Sequence, residues 1–400
     1  MQPLHILFIT DPLAHFKITK DSTYAMMQAA AEHGHILYVC ESHQLTLDEN
    51  QVYACATPLT LIIPPNSHSN FSSTVEREGK RVGQSTALTK RQYDLRSVVP
   101  GNQHSGADHH DPLALRRFLG ADVPAGQYGE EPHSAADKVI RMKWNWNQWY
   151  QLAETQTIPL QDFDAVLMRK DPPFDLEYVT ATWLLSHAQR QGAKVFNDPG
   201  ALRDHSEKLA IAEFPQFTPP TLVSHSLEQL RVFHQKYHDI IIKPLDGMGG
   251  TGVFRVRQDG LNLSAIIETL GQQGARNLMA QQFIPEIEQG DKRILLIAGQ
   301  VIPFSLARIP APGEVRGNLA VGGTGIAQPL TARDLDIAQT LAPILWQRGI
   351  LIAGIDIIGP YLTEINITSP TCFREIQQQT QADAAAITLT ALEKICQNAL

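Results

Sequence analysis

Residues 239–252, DIIIKPLDGMGGTG, carry an apolar run that ends in Lys243 and opens into a loop with glycine at 247, 249, 250 and 252. Backbone N–H groups of such a loop can ring an anion, because no Cβ blocks the approach and positive φ costs little. Lys243 adds a cation beside them, and the next segment, VFRVR, alternates apolar and polar residues like a strand. This is the composition of a phosphate cradle. Four glycines in six positions exceed the need of a ligand-free hairpin turn. A second group lies in GILIAGIDIIGPYLTEINITSPT, residues 349–371, where two β-like runs (351–357 and 362–368) flank Gly359-Pro360. Asp356 and Glu364 then fall nearly opposite across a hairpin, and Glu364 and Asn366, two apart, share a face. Oxygen donors of this kind between apolar flanks make a hard-cation site that suits Mg²⁺, with Mn²⁺ as a substitute. Two carboxylates on a buried hairpin would otherwise repel each other.

The elements that must position these groups narrow the reading. The glycines formally match G-x-G-x-x-G, but a dinucleotide site needs a helix after the loop, and here a strand follows. G-x-x-x-x-G-K-[ST], H-R-D and D-F-G are absent, which removes P-loop NTPases and protein kinases. Strand, glycine loop, strand, with lysine on the incoming strand, is the ATP-grasp arrangement. Upstream, a strand at 4–10, a helix capped by Ser22 or Thr23 and ending at Gly34, and a strand at 35–40 give a βαβ start. A buried strand at 164–168, a helix at 176–191 and a strand at 194–196 continue an open α/β sheet. A helix near 200–213, a strand at 221–224 and a helix at 226–237 lead into the cradle. Long strands (293–298, 301–309), a helix at 331–347, the hairpin and a terminal helix complete the chain.

The sequence resembles the bacterial glutathione synthetases of the ATP-grasp superfamily along nearly its whole length. The segments that carry this are DPLAHFKITKDSTYAMMQAA near the start, MRKDPPFD at 168–175 and NDPGALRDHSEKL at 197–209. IIKPLDGMGG (241–250), MAQQFIPEIEQGDKR (279–293), ARIPAPGEVRGNLAVGG (307–323) and GIDIIGPYLTEINITSPTC (354–372) continue it. The resemblance implies an α/β fold with a pre-ATP-grasp domain at 1–200, a small lid-like subdomain at 201–280 and a large subdomain at 281–400. It implies ligation of γ-glutamylcysteine to glycine, driven by ATP through an acyl phosphate. It assigns Lys208 and Lys243 to the ATP phosphates, with Gly247, Gly249 and Gly250 donating N–H bonds, and the stretch Gln281, Gln282, Phe283 and Ile284 to the adenine. Asp356, Glu364 and Asn366 would hold Mg²⁺ bridging the phosphates.

Arg308, ending an apolar strand, and Arg316, in a Gly/Pro-rich loop, have the planar fork that suits a carboxylate or a developing acyl phosphate. The loop at 310–325 has the glycine content of a closing lid. Ser369 and Thr371 follow the hairpin and are expected near glycine or substrate. Lys17, Lys20, Asp21 and Ser22 are expected at the γ-glutamyl end. A different ATP-grasp ligase, such as a D-alanine–D-alanine or glutamate-adding enzyme, would keep the lysines and the hairpin but not MRKDPPFD or RGNLA. A non-catalytic ATP-binding regulator would commonly lose metal ligands that are all kept here.

A net charge of −8 disfavours nucleic acid, and no polybasic run points to a membrane surface. LHILFIT is too short for a signal peptide or a span, and four scattered cysteines without C-x-x-C fit a reduced, cytoplasmic protein. Family precedent implies a homo-oligomer. Residues 66–140 depart from the family pattern, being rich in Ser, Gly, His, Arg and Gln. His104, His109 and His110 lack carboxylate or cysteine partners at useful spacing, so a mobile solvated loop, dispensable for chemistry, is expected.

Overall fold

Near-continuous apolar runs pair in parallel at the N-terminus, as strands covered on both faces do. In the computed structural model β1 (His5–Ile9) lies between β2 (Ile36–Cys40) and β7 (Ala165–Met168), both parallel to it. β8 (Val195–Phe196) adds in parallel to β7, and β4 (Gln51–Leu61) pairs antiparallel to β2. Three shorter strands, β3 (Leu45–Asp48), β5 (Tyr150–Leu152) and β6 (Gln156–Pro159), attach to β4. Residues 2–62, 148–319 and 322–397 are described, and the expected loop at 66–140 lies outside them.

The first helix, α1 (Ser22–Glu32), is capped by Asp21 rather than by Ser22 or Thr23: Tyr24 N donates to Asp21 Oδ1 at 2.7 Å. Its C-terminal end is tied to the terminal helix at 384–397. His33 Nδ1 and His35 Nε2 each lie 2.9 Å from the same Glu393 oxygen. Leu4 N donates to His35 Nδ1 at 3.1 Å, so Nε2 carries the proton and has no lone pair to offer a metal. Burial by itself would raise the Glu393 carboxyl, but the two rings bonded to it bring it below its ordinary value. A lowered carboxyl contributes stability above the ordinary carboxylate range and loses it as pH falls through the lowered value. Glu393→Gln is therefore expected to cost about 1–3 kcal/mol at pH 7. It should cost much less near pH 3, as read by urea denaturation at both pH values. An equal cost at both would overturn the assignment.

After α2 (Leu176–Arg190) and the short α3 (Pro199–Asp204), the chain builds a four-stranded antiparallel sheet. Its order is β11 (Phe254–Val256), β10 (Ile240–Pro244), β12 (Leu278–Gln282) and β9 (Thr221–Ser224). Alternation sorts its faces. Ile240 and Ile242 join Leu278 and Ala280 in a core under α4 (Leu227–Tyr237) and α5 (Leu263–Leu270). Ile241, Lys243 and Gln281 face the other way.

The third sheet is antiparallel in the order β15 (Thr324–Pro329), β14 (Gln300–Ile309), β13 (Asp291–Ile297), β16 (Ile352–Ile358) and β17 (Tyr361–Asn366). One face packs on α6 (Ala332–Gln347), and the other on α7 (Phe373–Thr380) and α8 (Ala384–Gln397). Asn197, just after β8, ties this sheet to the first. Its Nδ2 donates to Ile352 O at 2.8 Å and Ile367 O at 2.7 Å, and Ile352 N donates to its Oδ1 at 2.9 Å. Asn197→Ala strands those buried partners, so a loss of about 2–4 kcal/mol is expected. Urea midpoints at constant m-value would measure it, and a loss under 1 kcal/mol would sink the tie (about one fivefold change in the folding equilibrium).

Candidate active site

Period-two alternation puts Asp291 and Arg293 of β13 on one face of the third sheet. Register then sets Arg308 opposite Asp291, and Asp356 between Arg293 and Glu364. Arg293 grips both oxygens of Asp356, Nε at 2.5 Å and Nη2 at 2.9 Å. Arg308 Nη2 lies 2.5 Å from Asp291 Oδ2 and 2.9 Å from Asp356 Oδ2. Gly354 makes room for this row, since a Cβ there would lie 2.8 Å from Arg293 Cδ. Asn366 Nδ2 donates to Asp356 Oδ2 at 3.1 Å and Gly354 O at 3.2 Å, which leaves its Oδ1 to face outward.

The lysines arrive from the side. Residues 207–217 run along the outer edge of β17: Ile365 N donates to Glu207 O, and Leu362 N to Phe217 O. The Glu207 carboxylate also accepts from Ile367 N, Thr368 N and Thr368 Oγ1 at 2.8–3.0 Å. Lys208, the next residue, is thereby placed with its ammonium 3.6 Å from Glu364 Oε1, and Lys243 Nζ stands 3.5 Å from the same oxygen. Lys208 also donates to Gly247 O. Burial pushes the Lys243 ammonium below its ordinary value, against the pull of Glu364. Burial likewise pushes the Asp291 carboxyl up to about 7, although Arg308 opposes it. Burial would raise Asp356 too, but Arg293 and Arg308 hold its carboxyl below the ordinary range.

These groups open on one cavity of about 740 Å³. The cavity gathers most of the expected residues: Lys208, Lys243, Gly247, Gly249 and Gly250; Gln281, Gln282, Phe283 and Ile284; Arg308, Arg316, Glu364 and Asn366; Ser369 and Thr371; Lys17, Lys20 and Asp21. Two expected residues stand elsewhere. Asp356 is 2 % exposed and not on the cavity wall, and both its oxygens accept from the guanidinium groups. Asp356 is gripped by Arg293 and Arg308 behind Glu364 and Asn366, the other two residues expected to hold the cation. Ser22 is buried in α1, where its hydroxyl accepts from Phe373 N at 3.3 Å, so it is not at the substrate end. Arg316 pairs with Glu314 at 2.8 Å and lies over the glycine loop. A Cβ on Gly250 (φ +83°) would come 2.9 Å from Asn318 Oδ1 and 3.2 Å from Arg316 Cδ, so the backbone there is pressed against segment 310–319.

Asp171, Glu207, Asp291, Arg293 and Glu375 also line the cavity and were not singled out from sequence. The spacing of Asp291 and Arg293, two apart at the head of an apolar strand, was a readable signal; the others had none. MRKDPPFD acquires a physical role as well. Its Arg169, 4 % exposed, donates to Thr23 Oγ1 at 3.2 Å and Pro370 O at 3.0 Å, and Asp171 N donates to Asp11 Oδ2 at 2.8 Å. The motif thus holds the loop after β17 against the N-terminal sheet.

Glu364 and Asn366 offer one carboxylate and one amide oxygen between two ammonium groups, a donor set that fits a hard divalent cation carrying phosphate oxygens. The profile described as "Prokaryotic glutathione synthetase, ATP-grasp domain" matches residues 207–381, and that of the corresponding N-terminal domain matches residues 4–92 and 128–203. The chain belongs to the prokaryotic glutathione synthetase family. Proteins named glutathione synthetase from Ralstonia nicotianae and Nitrosomonas europaea are 49% and 44% identical to it over 98% of this chain, covering 96% and 98% of their own lengths. As a glutathione synthetase it is an ATP-dependent ligase. The fold is ATP-grasp, matching a Chryseobacterium gregarium RiPP-associated ATP-grasp ligase at TM-score 0.53 and 14% identity, over 99% of this chain and 98% of that one.

Proposed function

We propose that this glutathione synthetase joins the cysteinyl carboxylate of γ-glutamylcysteine to the amine of glycine, with ATP activating the carboxylate. A carboxylate oxygen attacks the γ-phosphorus, the bond to the β,γ-bridging oxygen breaks, and ADP leaves. The neutral amine of glycine then attacks the acyl carbon, inorganic phosphate departs, and that phosphate takes the proton the amine loses. Lys208, Lys243 and the N–H groups of Gly247, Gly249 and Gly250 hold the phosphates, and the 281–284 strand end receives the adenine. Mg²⁺ held by Glu364 and Asn366 would supply charge neutralisation on the phosphates. Arg293 and Arg308, locked by Asp291 and Asp356, present preorganised N–H groups to the acyl phosphate as its charge develops. Arg316 and segment 310–319 cover the site and exclude water.

The observation that carries this reading is the meeting of two buried lysines, a carboxylate–amide pair and two locked guanidinium groups on one cavity wall. Its test is ADP release from Mg-ATP and γ-glutamylcysteine with and without glycine, with the product identified by mass. Glutathione formed only when all substrates are present is the expected result. Turnover with another acceptor alone would overturn the assignment of glycine. A reducing compartment such as the cytoplasm belongs to the same reading, since all four cysteines are free. Among the described residues no helix is long and apolar enough to cross a membrane.

A further inference from the structure

γ-Glutamylcysteine differs from other peptides in ending with a free α-ammonium and α-carboxylate on the same carbon, so a selective site needs both signs of charge. The part of the cavity bounded by the N-terminal segment has them: Lys17 and Lys20 against Asp21, Asp171 and Glu375. The carboxylates are not equally available. Asp21 Oδ1 is occupied by Tyr24 N, and Asp171 is hydrogen-bonded to the Ser369 side chain. Glu375 Oε2 is buried and has no hydrogen-bond partner. Buried carboxylate oxygens are nearly always partnered, so an orphan on a substrate cavity marks a place for a donor from the ligand. Lys20 and Asp21 are both close enough to Glu375 to act on its charge.

We propose that Glu375 selects the γ-glutamyl end of the substrate by accepting a hydrogen bond from its α-ammonium, while Lys20 faces its α-carboxylate. The inference rests on the γ-glutamylcysteine reading above and adds the residue that reads the glutamyl zwitterion. Glu375 is supplied by the first turn of α7, whose start is fixed through Phe373 N and the Ser22 hydroxyl. The carboxylate therefore stands on a rigid element rather than a loop.

The test compares γ-glutamylcysteine with N-(4-carboxybutanoyl)cysteine, which keeps every carboxylate but lacks the α-ammonium. Wild-type protein is expected to prefer the natural substrate by about 10- to 100-fold in kcat/KM, the worth of one charge-assisted hydrogen bond. In Glu375→Gln that preference should collapse to within about threefold, with the KM for ATP unchanged. An equal fall for both substrates, with the ratio preserved, would mean a structural role and overturn the proposal. So would a wild-type protein that fails to discriminate, a result that needs no variant to fold. Failure of the parent reading looks different: wild-type protein would then make no glutathione from γ-glutamylcysteine and glycine.

Discussion

Glu364→Gln is expected to lower kcat/KM by about 10³-fold while leaving the fold intact, since removing one preorganised charge partner from a phosphoryl-transfer site costs on that order. Glu364 is the anion on which the site's electrostatics turn. It is the acidic oxygen donor on the cavity wall beside Asn366, and the shared partner of Lys208 and Lys243. With an amide in its place the proposed cation would lose an anionic protein oxygen, and two buried ammonium groups would face each other without their shared carboxylate. The pKa of Lys243, already lowered by burial, should fall further, weakening its hold on phosphate. Two readouts separate these effects. The half-saturating Mg²⁺ concentration should rise at least tenfold, an order-of-magnitude expectation from loss of a ligand. The thermal midpoint should move by only a few degrees, because Glu364 is a half-buried group at the cavity rim. Turnover within tenfold of wild type would remove Glu364 from the cation site.

Arg308→Met should damage both stability and catalysis, for separable reasons. Arg308 is 3 % exposed and bridges Asp291 to Asp356, so its removal leaves Asp291 without a guanidinium partner. Breaking a buried ion pair from one side costs about 3–5 kcal/mol. The pH dependence follows from Asp291, whose carboxyl stands raised, at about 7, and would rise further without Arg308. A raised carboxyl weakens the folded state progressively as pH climbs from the unfolded value through the folded one, so the penalty should be greatest above pH 8 and fade towards pH 4. Asp291→Asn added to Arg308→Met should restore most of the stability at pH 8. Activity should stay about 10²–10³-fold down, since in the proposed mechanism the lost N–H groups would face the acyl phosphate. If the double variant recovered turnover, Arg308 would be serving only to neutralise Asp291.

The contrast between Glu364 and Arg293 shows what made part of the site legible. Glu364 and Asn366 are two apart on one strand, and Asp356 is brought opposite by a turn that is itself visible as Gly359-Pro360. Everything needed to place them lies within one hairpin, where period and turn length fix geometry. The cradle was legible for the same reason, as Lys243 and its glycines are consecutive. The spacing of Arg293 from Asp291 was readable, but its partner Asp356 was decided only when β13 was laid between β14 and β16, a pairing no local pattern specifies. Asp356 illustrates a subtler limit. Its position opposite Glu364 was legible, but not that two arginines would bond to both its oxygens. Ser22 failed through a one-residue shift in the helix cap, which went to Asp21 and buried the serine.

By itself, then, the sequence determined the class of chemistry: a strand–glycine loop–strand with its lysine, and a carboxylate–amide pair on a hairpin, are local devices whose geometry short-range sterics impose. It determined most elements too, because apolar period reports which face each one buries. Tertiary structure decided which distant groups share charge. Lys208 meets Glu364 only because residues 207–217 cover the edge of β17, and Glu375 comes within electrostatic reach of Lys20 only because α7 docks on α1. Such meetings depend on how buried edges and faces are satisfied across the whole chain, and electrostatic interactions between them leave no period in the sequence to read.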